Sequence, residues 1–217
     1  MSTAVELCAA AYRLANLDQE LTSFATTQEF PYNNALYFLN AVIQEMNRLG
    51  AYWFTETTTN LTYSPGVYQY NLSALNIDPQ KILRVRRESV TQAGELEQWN
   101  WRRFQQTYRR SALLTTVPSV FSKYGGHLEL NCIPDQDYTL KVYHLRDMPK
   151  LSATTDTLLI PDADEDVIID GVHAKLLQAM GRPDWGNYYT QFIEKSRSLL
   201  ADMKQDMGLP RQMPANF

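Results

Sequence analysis

Near the start of the chain apolar residues recur every three to four positions. Val5, Cys8, Tyr12 and Ala15 fall on one face of a helix predicted over 4–15. A stronger pattern follows, with Leu36, Leu39, Ile43 and Met46 marking a helix over 32–49. Pro31 suits its first turn, where a missing N–H costs little, and Gly50 supplies a stop. The period then shortens to two. "TETTTNLTY" and "VYQYNL" alternate, are rich in β-branched and aromatic residues, and flank a turn at Ser64-Pro65-Gly66. Tyr68, Tyr70 and Leu72 share one face of the second run. "KILRVRR" reads as a strand with Leu83 and Val85 inward and Arg84 and Arg86 outward. "SVFSKYGGHLELNC" predicts a hairpin turning at Gly125-Gly126, with Leu128, Leu130 and Cys132 on one face, and "DYTLKVYHL" predicts a further strand.

The helical period returns after Pro161. Ile168, Val172, Leu176 and Ala179 form a stripe over 163–180, and four acids in its first turn complement the positive end of the helix. Trp185, Tyr189, Phe192, Leu199 and Met203 share one side of a helix over 184–207, which Gly208 and Pro210 close. The order predicts an α+β chain. Helices from both ends (1–59 and 151–208) form a four-helix unit around an inserted antiparallel β-sheet or sandwich region (60–150), and residues 209–217 form an extended C-terminal arm.

At 217 residues and 44% hydrophobic content, the chain can bury a sizeable core. No apolar run approaches the roughly 20 residues that cross a bilayer, and the first residues lack the basic start of a signal peptide. The expectation is a soluble product of the cytoplasm with no membrane partner. Cys8 and Cys132 make no disulfide framework and are expected to be buried thiols.

Charge is uneven. Residues 61–150 carry 12 Lys/Arg against 8 Asp/Glu, whereas the flanks carry 8 against 16. The basic side chains concentrate around "WNWRRFQQTYRR", residues 99–110. On a helical wheel, Trp101, Phe104 and Tyr108 occupy a narrow arc, with Arg102, Arg103, Arg109 and Arg110 on the far side. A solvated face, a protein interface rich in arginine and tyrosine, and a non-specific phosphate contact all fit this pattern. The last would make the chain a nucleic-acid-binding accessory protein, the alternative function.

Catalytic and metal patterns are absent. "DADED" at 162–166 opens like a calcium loop, but Val167 and His173 stand where glycine and glutamate belong. His127 and Cys132, five apart on a strand, point to opposite faces. No phosphate loop, nucleophile elbow or dinucleotide fingerprint occurs. The chain is expected to be no enzyme and to need no cofactor or metal.

"ALYFLNAVIQEMNRLGAYWF", with Leu39, Asn40, Ala41, Glu45, Arg48, Gly50, Trp53 and Phe54, resembles the second helix of the head-to-tail adaptor proteins of tailed bacteriophages. "SPGVYQYNL" and "KILRVRR" resemble the strands that follow, although Ser73 replaces a usual proline. Pro118, Leu128, Leu130, Pro134, Asp135, Tyr138, Leu140, Tyr143, Pro149 and Leu151 continue the family pattern. The Arg-rich stretch departs from it. This head-completion, tail tubular A-like resemblance implies a structural protein of the virion neck. Copies would form a dodecameric ring under the portal protein, assembled in the host cytoplasm after genome packaging. The ring would meet a tail or nozzle protein and let DNA pass without sequence-specific binding. The arm would reach a portal or a neighbouring copy. Leu209, Pro210, Arg211, Met213 and Phe217, together with Arg102, Arg103, Arg109 and Arg110, are the expected interface residues.

Overall fold

A computed structural model describes residues 2–17, 21, 24, 31–50, 52–88, 93–108 and 113–206, with the side chains at 32 and 202–206 left out. The chain divides into two compact units, Met1–Thr55 with Asp147–Phe217, and Glu56–Arg146.

The first unit is helical. Helix α1 (Ala4–Leu14) starts at a capping box in which the Thr3 hydroxyl accepts from the Glu6 N–H and the Glu6 carboxylate accepts from the Thr3 N–H. Its small residues Ala4, Cys8 and Ala11 are fully buried and allow close packing. A 3₁₀ turn at Tyr32–Asn34 leads into α2 (Ala35–Leu49), so Pro31 precedes the helical turns, and its carbonyl accepts from the Tyr12 hydroxyl. The buried face of α2 is Ala35, Phe38, Leu39, Val42, Ile43 and Met46; Leu36, expected on that face, is only half-buried.

Helix α4 (Glu165–Ala179) is the hub against which α1, α2 and α5 (Trp185–Asp206) pack. Val167, Ile168, Gly171, Val172, His173, Ala174, Leu176 and Leu177 are all buried, more than a single stripe, because neighbours surround it. Ala179, expected inward, is exposed because the helix has by then emerged from between its neighbours. Gly171 marks the closest approach: a Cβ there would sit 2.7 Å from Val42 Cγ1 and 3.0 Å from Phe192 Cδ2. Across the surface, Lys195 of α5 pairs with Asp166 and Asp170 of α4.

Asn40 and Asn47, two turns apart on α2, each bind one residue of the segment that returns to this unit. Each carboxamide donates to a main-chain carbonyl and accepts the same residue's N–H: Asn40 with Leu151 (3.0 and 2.9 Å), Asn47 with Met148 (3.0 and 3.0 Å). Met148 and Leu151 are thereby seated in the helical core.

The second unit holds β1 (Glu56–Tyr63), β2 (Gln69–Asn71), β3 (Ile82–Glu88), β4 (Gly94–Glu95), β5 (Glu97–Gln98), α3 (Trp101–Tyr108), β6 (Thr115–Thr116), β7 (Val120–Tyr124), β8 (His127–Leu130), β9 (Ile133–Pro134) and β10 (Tyr138–Leu145). Two four-stranded sheets, ordered β1-β10-β3-β4 and β2-β8-β7-β5, share one apolar core that includes Leu61, Tyr63, Val85, Leu140, Leu72, Phe121 and Leu130. Most pairs are antiparallel. The short pairs β5–β7 and β6–β9 are parallel, which alternation within a strand cannot reveal.

Strand β3 departs from strict alternation. Tyr143 faces Arg84 and His144 faces Ile82, so the register skips Leu83. This bulge turns Ile82 inward and leaves Leu83, expected inward, half-exposed. The β7–β8 hairpin turns on two residues, Gly125 (φ 57°) and Gly126 (φ 82°). Positive φ at both positions matches the twist of the flanking strands and is strained for other side chains.

Candidate interaction surfaces

In the strand-rich unit, α3 lies against β7. The Asn100 side chain caps it by accepting the Arg103 N–H at 2.9 Å. The Trp99 N–H donates to the Phe121 carbonyl, and the Ser122 hydroxyl donates to the Trp99 carbonyl at 3.0 Å. Phe104 is fully buried beneath the helix. Trp101 stacks nearly parallel on Tyr124, with centroids 4.4 Å apart and planes 11° apart, and lies 5.9 Å from Phe104 at 18°. These rings back the exposed Tyr124 ring near the hairpin tip.

Four arginines of this unit have intramolecular roles. Arg103 lies over the Trp99 ring, 3.7 Å from its centroid, and Arg84 over Tyr143 at 4.1 Å. Arg86 pairs with Glu88 at 3.6 Å, and Arg87 donates to the Pro118 carbonyl. Arg102 is exposed and makes no hydrogen bond or ion pair among the described residues. Arg109 and Arg110 lie outside the described residues, as do Leu209, Pro210, Arg211, Met213 and Phe217 of the expected arm.

In the helical unit, the outer face of α2 carries a groove of about 460 Å³. Leu36, Tyr37, Ala41 and Gln44 line it on the helix, Asn33 lies at one end, and Phe24 and Lys150 flank it. Tyr37 is 71% exposed, unusual for so large an amphipathic side chain. Further along α2, Glu45 accepts from the Tyr189 hydroxyl and from Lys175 Nζ at 3.1 Å, tying α2 to α4 and α5. Burial would raise the Glu45 pKa, but those two hydrogen bonds and the nearby cations hold it below the usual carboxylate range. The same bond, with burial, pushes the Tyr189 phenol up to about 12.

Burial pushes the Cys8 thiol up to about 12 and the Cys132 thiol up to about 11, as expected for inert buried cysteines. His127 Nδ1 lies 2.9 Å from the Gly125 carbonyl in the hairpin turn. Two of the acids at 162–166 serve the fold: Glu165 accepts from the Ser2 N–H and hydroxyl, both at 2.7 Å, and Asp166 binds Lys195. Among the described residues, no group of three His, Cys, Asp or Glu side chains is placed to hold a metal ion, and no helix is long and apolar enough to cross a membrane.

The model of the SU10 adaptor protein family matches residues 2–214, nearly the whole chain. The chain belongs to that family. It is therefore a structural adaptor protein of a bacteriophage virion. No curated protein matches the chain. In this SU10 adaptor, the amphipathic α3 was legible before folding, but the Tyr124 platform was not, because Trp101 and Tyr124 are far apart in sequence. The amide clamps had one faint signal, two asparagines seven positions apart on a single helix face.

Proposed function

We propose that copies of this adaptor form a closed ring, dodecameric as in the resemblance above, beneath the portal protein. The ring joins capsid to tail, meets a tail or nozzle protein on its far side, and leaves a channel for DNA to pass without sequence-specific contact. It assembles in the host cytoplasm after the genome is packaged and stays in the virion neck. The family match across residues 2–214 carries this reading.

The surfaces support it. A ring needs two different complementary patches on each copy. The outer face of α2 and the Tyr124 platform offer exposed aromatic surface of the kind enriched at interfaces. Arg102, Arg103, Arg109 and Arg110, with the arm at 209–217, are the proposed contact residues. The nucleic-acid alternative, which uses Arg102, Arg103, Arg109 and Arg110, draws less support, because the family match is to an adaptor protein and Arg103 already lies over the Trp99 ring. Electron cryo-microscopy of the chain mixed with its portal tests the proposal. A closed ring capping the portal is expected; separate particles at micromolar concentrations of both would refute it.

A further inference from the structure

We infer that strand β1 of one copy of this chain pairs antiparallel with β1 of a second copy, about a two-fold axis at Thr58. The inference does not rest on the proposed ring. A two-fold contact joins two copies and stops there, so it belongs to chains not yet taken into a ring. Strand β1 (Glu56–Tyr63) is outermost in its sheet and pairs with β10 alone. The other outer strands of the two four-stranded sheets, β4, β2 and β5, are only two or three residues long. Short edges resist pairing with another chain. Strand β1 has eight residues, no proline, no lysine and no bulge against β10, so nothing blunts it.

Two observations fix which main-chain groups of β1 face outward. The Leu96 N–H donates to the Val85 carbonyl at 2.9 Å, so Val85 turns its main-chain groups toward the β4 side and away from β10. Val142, opposite Val85, therefore turns its own groups toward Thr59 of β1. Direction alternates along a strand. Thr57, Thr59, Leu61 and Tyr63 thus bond β10, while Glu56, Thr58, Asn60 and Thr62 point their N–H and C=O groups outward. Independently, the Thr62 carbonyl accepts from the Tyr70 hydroxyl, as an outward group can. That bond closes one end of the edge, and the 3₁₀ turn Trp53–Thr55 closes the other. Between them Glu56, Thr58 and Asn60 are exposed, and their outward main-chain groups have no partner among the described residues.

This open stretch reads "ETTTN", and its midpoint is Thr58. Turned about that midpoint, it sets Thr58 against Thr58, Thr57 against Thr59 and Glu56 against Asn60. Threonine pairs across strands are favourable, and no charge meets a like charge, since each carboxylate faces a carboxamide that can donate to it. Outward residues meet outward residues, so the three opposed pairs bring about six main-chain hydrogen bonds, two to a pair. The short edges of a neighbouring copy cannot fill the stretch; its own β1 does. The contact is small, so the dimer is weak and depends on concentration.

Sedimentation equilibrium of the full-length chain, from micromolar to sub-millimolar concentrations, should show a growing dimer fraction. Thr58→Pro deletes an N–H that faces outward, so it should melt near the parent temperature yet weaken dimerisation roughly tenfold or more. Thr58→Lys keeps the main chain intact and sets two ammonium groups face to face at the axis, with the same loss expected. With a short thiol–thiol cross-linker, Thr58→Cys chains should join to one another. Thr62→Cys chains should not, because their thiols would lie roughly 27 Å apart at about 3.4 Å per residue. A monomer at every concentration, a dimer indifferent to both Thr58 variants, or equal cross-linking at the two positions would overturn the inference. So would a Thr58→Pro chain that melts as low as Thr59→Pro, which deletes a bond to β10. A monomer whose portal binding falls on Thr58→Pro would assign the edge to a strand of another protein and overturn it as well.

Discussion

Replacing Gly171 with alanine sets two opposing effects against each other. Glycine inside a helix costs about 1 kcal/mol relative to alanine, so on propensity alone Gly171→Ala should stabilise the chain. The new Cβ, however, would sit 2.7 Å from Val42 Cγ1 and 3.0 and 3.1 Å from two carbons of the Phe192 ring. Carbon atoms attract best at roughly 3.5–4.0 Å, so each neighbour must move by several tenths of an ångström or more. Val42 and Phe192 are fully buried on different helices, and neither can turn into open space. Overpacking of this kind costs about 1–3 kcal/mol. The net change should be a loss of about 1 kcal/mol, read as a Tm lower by about 2–4 °C for a chain of this size. Val42→Ala should separately cost about 2 kcal/mol in lost burial and cavity. Combined, the two changes should cost less than their sum, because removing the valine methyls relieves the closest contact. Urea denaturation of the four proteins gives the coupling. A Gly171→Ala chain more stable than the parent, or strictly additive effects, would refute this account of α4 as the packing hub.

Asn47→Ala should destabilise the helical unit by about 2 kcal/mol, since the N–H and carbonyl of buried Met148 lose their partner together; chemical denaturation measures it. Phe104→Ala should cost about 3–5 kcal/mol, whereas Arg102→Ala should leave stability unchanged, because one side chain is fully buried and the other exposed. His173 is buried beside Tyr188, and burial depresses its pKa below the usual imidazole value despite Asp170 and Asp184 nearby; the Arg182 charge acts in the same direction as burial. A depressed folded pKa means the neutral ring is the stabilising form. Its contribution is therefore complete above about pH 6.5, the unfolded value, and is lost as pH falls through the lower folded value. Melting curves from pH 7.5 to 5 should show a smaller acid-side drop for His173→Gln than for the parent; identical slopes would contradict the assignment.

The helices and the Gly125-Gly126 hairpin were legible because each is specified locally, by a period of apolar residues or a turn that needs positive φ. The α+β class followed from their order. Leu83 and Ala179 were misplaced for a different reason: a bulge against β10 shifts one, and the end of a helix–helix contact exposes the other. Neither cause lies within the segment that carries the residue. The same limit hid the Tyr124 platform and the Glu45–Lys175–Tyr189 cluster, which exist only once distant elements meet. Arg102 and Arg103 are exposed on the outer face of α3, as the helical wheel placed them, but composition could not show that Trp99 would take up the Arg103 guanidinium or Tyr143 that of Arg84.

The clamps at Asn40 and Asn47 also set a timetable. Helices α1 and α2 are made first, yet their partners, Met148, Leu151 and then α4, emerge from the ribosome about 100–130 residues later. At synthesis rates of roughly 5–20 residues per second, this is a delay on the order of ten seconds. During that interval Leu39, Val42, Ile43 and Met46 have no α4 to bury them, and two carboxamides wait for a main chain not yet made. The early helices are therefore exposed to capture by chaperones and to mispairing with other nascent copies.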